Sequence, residues 1–164
     1  QFGDENVAAT ILVEQTPADF KWPDWGQGLF DLATLVHTMS EVQTGREEVF
    51  RGFVPMMFKS PPPQEDLDWM VAENMRIPAT IASAVLFDQT MQDYRADLDK
   101  VTVPTLVIAG NAENKLLPTP AVKFVHEHIP GSSFSLYEDS SHCPFLEETE
   151  RFNQEVGAFV GALG

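Results

Sequence analysis

His142, Glu113 and Glu14 are the residues from which chemistry could be built. Histidine titrates near neutrality, so it can take a proton and return it. A carboxylate beside it fixes the imidazole tautomer and stabilises the imidazolium formed when the ring acts as a base. Glu113 and His142 stand 29 positions apart, the length of one strand–helix–strand unit. Glu14 closes an earlier apolar run and is the alternative acid. What such a pair lacks is a nucleophile. The elbow G-x-S-x-G, which exposes a serine at a strand-to-helix turn, is absent from the chain. The serines of IPGSSFS at 129–135 enter a strand instead of leaving one, and Ser140 and Ser141 are too near His142 in sequence.

Other reactive groups read more plainly. His126 and His128 are two apart on one helix and face different ways, so no metal site is expected. His37 lies in a helix and is read as structural. Cys143 adjoins His142, but adjacent side chains seldom face each other, so it is read as a small buried hydrophobe. Glu147, Glu148 and Glu150 read as the favourable negative start of the last helix. Trp22, Trp25, Phe53 and Met57 are candidates to wall an apolar substrate pocket, set against the commoner alternative of core or lid packing.

The elements that must position these groups follow from periodicity. Val7–Val13 is a short apolar, β-branched run ending at Glu14, which predicts a buried strand. Residues 15–28 carry prolines, glycines and two tryptophans, hence a loop. Helices are predicted over 30–42, 47–58, 64–75 and 78–93, with Pro61, Pro62 and Pro63 separating the second from the third. A strand over Thr105–Ala109 ends at Gly110, a helix follows over 120–128, then a strand over 133–137. A final helix over 147–163 has Phe152, Val156, Phe159, Val160 and Leu163 on one stripe. Strands alternating with helices imply an α/β fold with a parallel sheet. In such sheets, ligands meet the carboxyl ends of the strands. Glu14, Glu113 and His142 all belong to those ends. Residues 1–28 and 96–164 are expected to form the α/β core, and 29–95 a helical cap or lid.

With 164 residues, 43% of them hydrophobic, the chain can bury a core. A net charge of -15 argues against nucleic acid and anionic membrane surfaces as partners. No apolar run is long enough to span a bilayer. A lone cysteine excludes an internal disulfide and any cysteine-rich metal site. The cytoplasm is the favoured compartment.

The stretch VTVPTLVIAGNAENKLLP, followed by HCPFLEETERFNQEVGAFV, resembles the C-terminal half of an α/β-hydrolase. The family shows a strand of the form V-P-x-L-hydrophobic-G, an acid three residues past that glycine, and then a proline. Here these are Gly110, Glu113 and Pro118, with the loop one residue longer. The family's G-H-x-P, glutamate and last-helix phenylalanine match His142, Pro144, Glu147 and Phe152, while Ser141 replaces the glycine. Within the superfamily, IASAVLFDQTMQDYRADLDKVTVPTLVIAG is most similar to the cofactor-free haloperoxidase and esterase group. The resemblance is specific over 93–164, weak over 7–20, and silent over 29–92.

The resemblance implies a nucleophile–histidine–acid triad with His142 as base and Glu113, in place of the usual aspartate, as acid. Some relatives, notably certain haloalkane dehalogenases, carry the acid after the earlier strand, which here is Glu14. The first strands, oxyanion loop and nucleophile elbow of the family would precede residue 1. The chain is therefore expected to be an incomplete unit, a fragment or one of two chains cut from a precursor, with the N-terminal half of the same fold as its partner. Hydrolysis of a small apolar ester or related acyl substrate is the expected activity, without metal or cofactor. The alternatives are a dehalogenase or carbon–carbon hydrolase using the same histidine, and a non-catalytic binding module of this fold.

Overall fold

The computed structural model describes residues 6–111 and 116–164. In chain order its elements are β1 (Thr10–Val13), α1 (Leu32–Thr44), α2 (Arg46–Phe53), α3 (Gln64–Met75), α4 (Ala79–Met91), β2 (Thr105–Gly110), α5 (Thr119–His128), β3 (Ser133–Tyr137), α6 (Pro144–Glu147) and α7 (Thr149–Gly161). Two short 3₁₀ turns, Val54–Met57 and Arg95–Lys100, link α2 to α3 and α4 to β2.

The three strands form one parallel sheet in the order β1-β2-β3. Val13 pairs with Ile108, and Gly110 with Tyr137, so the carboxyl ends of all three strands lie along one edge. The alternation of side chains along each strand divides the core in two. Val107 and Ala109, with Leu12, Phe134 and Leu136 beside them, face α5 through Val122 and Val125. Leu106, Ile108 and Tyr137 face the other way, onto Phe152, Val156 and Phe159 of α7. Apolar helices on both faces explain why β2 reads as an unbroken apolar run and is buried at every residue. Each fully buried aliphatic side chain there contributes about 1.5–3 kcal/mol relative to exposure. Polar ties fasten α7 as well: Tyr137 Oη and Ser135 Oγ both donate to Glu155 Oε2, at 2.7 and 2.9 Å.

Between β1 and β2 the chain is helical. Asp31 caps α1, its carboxylate accepting the Thr34 N–H at 2.8 Å. This cap starts the helix two residues later than its apolar spacing suggests. Pro55 has no N–H to give, and the predicted helix over 47–58 accordingly ends at Phe53 and tightens into the 3₁₀ turn. The loop after β1 is fastened by Tyr94 N–H to the Pro17 carbonyl at 2.9 Å. Arg95 adds to it by pairing with Asp93 and Asp24 and lying over the Trp25 ring, 5.3 Å from its centroid.

Two further boundaries differ from the sequence reading. β1 begins at Thr10, with Val7 nearly half exposed. The last helix begins at Thr149, two residues later than predicted, because Glu148 at φ -125°, ψ 52° separates it from the short α6, which the periodicity did not show. Val160 and Leu163, placed on the buried stripe by their spacing, are exposed, while Phe152, Val156 and Phe159 pack inward.

Candidate active site

β1 ends in an unusual turn. Glu14 adopts φ 50°, the left-handed region that costs a non-glycine residue of order 1 kcal/mol or more. The turn swings its side chain across the end of β2. Glu14 is 3% exposed. Its Oε1 accepts the Gly110 N–H at 2.6 Å. Its Oε2 lies 3.2 Å from His142 Nδ1. A buried carboxylate next to a ring nitrogen favours the tautomer with the proton on Nδ1, which leaves Nε2 free to accept one.

His142 sits five residues beyond β3. Its loop packs so closely on Gly110 that a Cβ at that position would lie 1.9 Å from the Ser141 carbonyl oxygen. Glycine is therefore required there by contact. The His142 N–H donates to the Met57 carbonyl at 3.0 Å. Cys143 is buried among Val54, Phe58, Leu67 and Val71 of the helical segment. Burial, aided by the charges of Glu147 and Glu14, pushes its thiol up to about 12, so it is no nucleophile at neutral pH. This agrees with its reading as a small hydrophobe.

Above the strand ends lies a cavity of about 600 Å³, and His142 and Glu14 both line it. Most of its wall is apolar, from Val13, Leu29, Phe50, Phe53, Leu86 and Phe145, with Met57 beside them. Asp19, Gln15, Gln89 and Thr90 add polar groups at the wall. Asp19 Oδ2 accepts from Gln89 Nε2 at 3.1 Å, joining the loop after β1 to α4.

The structure thus brings together Glu14, His142, Phe53 and Met57. It places Trp22 and Trp25 elsewhere: they pack with Ala18, Ala121 and Phe124 under α5, and Trp25 Nε1 donates to the Ala18 carbonyl at 2.9 Å. The tryptophans find the apolar surface they need in this cluster, and neither lines the cavity. Glu113 lies outside the described residues. His126 and His128 are also apart from the cavity: one ring contacts Ser132 Oγ and the other the Phe124 carbonyl. No cluster of three or more metal-ligating side chains occurs among the described residues, and no described helix is long and apolar enough to cross a membrane.

Sequence reasoning missed the part played by Glu147. It is not in the first turn of α7; that place belongs to Glu150. The Glu147 carboxylate instead accepts the Ser141 N–H at 2.8 Å and the Lys59 N–H at 2.7 Å. Its fixed place in the H-x-P-x-x-E pattern was the available signal. Asp19, Gln89 and Thr90 carried no signal, because the fold alone brings them to one wall.

No protein-family model matches the chain. It is 28% identical over 153 residues to the pimeloyl-[acyl-carrier protein] methyl ester esterase of Nitrosomonas europaea, an alignment covering 90% of this chain and 60% of that protein. An esterase from Exiguobacterium antarcticum superposes with a TM-score of 0.90 at 23% identity, over 98% of this chain and 60% of its own. A bromoperoxidase from Bacillus anthracis superposes at 0.85 and 21% identity, over 93% and 58%. The chain thus spans about 60% of the length of these proteins. In its parallel sheet, flanking helices and matched residues, the chain has the α/β-hydrolase fold and corresponds to the C-terminal half of it.

Proposed function

We propose that this chain supplies the base and the acid of an α/β-fold ester hydrolase whose nucleophile lies on residues outside it. The observation that carries this reading is the 3.2 Å contact between His142 Nδ1 and the buried Glu14 carboxylate at the wall of an apolar cavity. A serine Oγ from the N-terminal half of the fold attacks the ester carbonyl. His142 Nε2 takes the serine proton and returns it to the leaving alcohol. Glu14 holds Nδ1–H in place and stabilises the imidazolium. Glu113, which the sequence resemblance favours, is the rival for the acid.

The helical segment over 29–95 acts as the cap. Phe50, Phe53 and Met57 from it and Phe145 from α6 give the substrate site an apolar wall, which suits an acyl chain or an apolar alcohol and excludes water from the reacting carbonyl. The N-terminal half is the proposed partner. In support, β1 is only half-buried along its length and, among the described residues, pairs on one side only. An unpaired edge of that kind calls for a neighbouring strand.

One observation favours a second reading. The carboxylate that meets His142 follows the earlier strand, the arrangement that the resemblance associates with dehalogenases. In that case the nucleophile is an aspartate. A fluorophosphonate probe separates the two with the full-length protein. The ester hydrolase reading expects one covalent adduct on a serine, by intact mass and peptide mapping, which is lost in His142→Ala. No adduct, together with halide release from a haloalkane, selects the dehalogenase. Neither outcome leaves a non-catalytic module of this fold.

A further inference from the structure

The loop that carries His142 is tied to the helical segment by more than packing. Glu147 Oε2 accepts the Ser141 N–H at 2.8 Å. The other oxygen of the same carboxylate accepts the Lys59 N–H at 2.7 Å and lies 3.4 Å from the Ser60 N–H. The next N–H along, that of His142, donates to Met57. Two consecutive peptide groups at the histidine are therefore held by residues 57–60, one directly and one through Glu147. On the opposite side, the Ser141 carbonyl rests on Gly110, which itself donates to Glu14. The histidine peptide is thus clamped between the acid-bearing strand ends and the helical segment.

Taking His142 as the base, we propose that Glu147 is a positioning residue: a two-armed staple that sets the distance between His142 Nδ1 and Glu14 and couples it to the placement of residues 57–60. That contact is 3.2 Å, at the long end for a hydrogen bond. A further drift of a few tenths of an ångström breaks it. Hydrogen bonds from backbone N–H groups to an ionised carboxylate are among the stronger ones. A glutamine offers one acceptor oxygen in place of two and turns an amide donor towards the other N–H. An aspartate keeps the charge but is one carbon too short to serve both loops. The nearby Lys59–Asp139 ion pair, at 2.8 Å, is solvent-exposed and contributes little. It provides the control.

The test is the imidazole Nδ1–H resonance of His142 in proton–nitrogen spectra, assigned by its loss in His142→Gln. In Glu147→Gln and Glu147→Asp the resonance is expected to move upfield or to vanish through exchange with solvent. Lys59→Ala, which keeps the backbone N–H, is expected to leave it unchanged. In the full-length protein, both Glu147 variants are expected to lose about tenfold or more in kcat with KM within about twofold, the signature of a misplaced catalytic group. A folded Glu147→Gln or Glu147→Asp with unchanged resonance and kcat overturns the proposal. So does an equal loss in Lys59→Ala, or a loss of fold in both Glu147 variants, which leaves Glu147 a purely structural part. The resonance reads geometry whether or not His142 is the base, so the two claims fail separately.

Discussion

Replacing Glu14 by glutamine tests the acid assignment with the least change in shape. The carboxylate now accepts from the Gly110 N–H at 2.6 Å and faces the ring N–H of His142 at 3.2 Å. A glutamine has one acceptor and one donor to offer. If its oxygen stays on Gly110, its amide group faces Nδ1. The ring must then carry its proton on Nε2, the nitrogen that has to be free to act as base. If the amide flips, two donors meet at Gly110 instead, and an unsatisfied buried donor costs about 1–3 kcal/mol. The imidazolium formed in the transition state also loses its counter-charge. At an effective dielectric constant of 20, a unit charge pair about 4 Å apart is worth about 4 kcal/mol. One factor of ten in rate is about 1.36 kcal/mol. A fall in kcat of about 10³–10⁴ is therefore expected. The assay is p-nitrophenyl ester hydrolysis by the full-length protein, with circular dichroism to establish that the variant is folded. Glutamine keeps the side-chain volume and one acceptor oxygen for the Gly110 N–H, so the fold is expected to survive with a loss of about 1–3 kcal/mol. A folded Glu14→Gln with kcat within tenfold of wild type refutes the reasoning. If Glu113→Gln then shows the large loss, the acid is Glu113.

Two other perturbations follow from the same geometry. Gly110→Ala drives a methyl group into the Ser141 carbonyl, 1.9 Å from where its Cβ must sit, so thermal denaturation is expected to show a loss of more than about 3 kcal/mol, or no folded protein; a neutral effect would mean that the histidine loop does not rest there. Cys143, held at about 12 by burial and by its acidic neighbours, is expected to resist iodoacetamide at pH 8 until denaturant is added. The native state keeps the thiol proton where the unfolded chain gives it up, so this group's contribution to stability is present below pH 9 and is lost as pH rises from there towards 12. Rapid alkylation of the native protein at pH 8 would contradict this.

The sequence carries the fold more fully than the site. β2, β3 and α3 are legible almost to the residue, because β2, buried between two helical layers, is a nearly unbroken apolar run, because β3 alternates polar and apolar residues, and because Pro61, Pro62 and Pro63 leave no choice about where α3 begins. The break at Glu148 is not legible. It accompanies the packing of Cys143, at the head of α6, among distant residues of the helical segment. The placing of carboxylates at strand ends is legible from topology alone. Which carboxylate reaches the histidine is not, since the left-handed turn at Glu14 is held by its bonds to Gly110 and His142 and leaves no mark in local propensity. Trp22 and Trp25 illustrate a related limit: their loop position is readable, but the apolar surface that takes them belongs to α5, a hundred residues on. Glu147 was visible as part of a pattern, and only its two backbone partners reveal what the pattern does.

The most direct test of the central claim, that His142 is the base, is the rate of ester hydrolysis by full-length His142→Ala. The alanine removes the ring that lines the cavity beside Glu14 and leaves the Met57 hydrogen bond to the backbone N–H in place. A loss of about 10⁴-fold or more in kcat, with the protein folded and KM little changed, is expected of a triad base. A rate equal to that of wild type would contradict it.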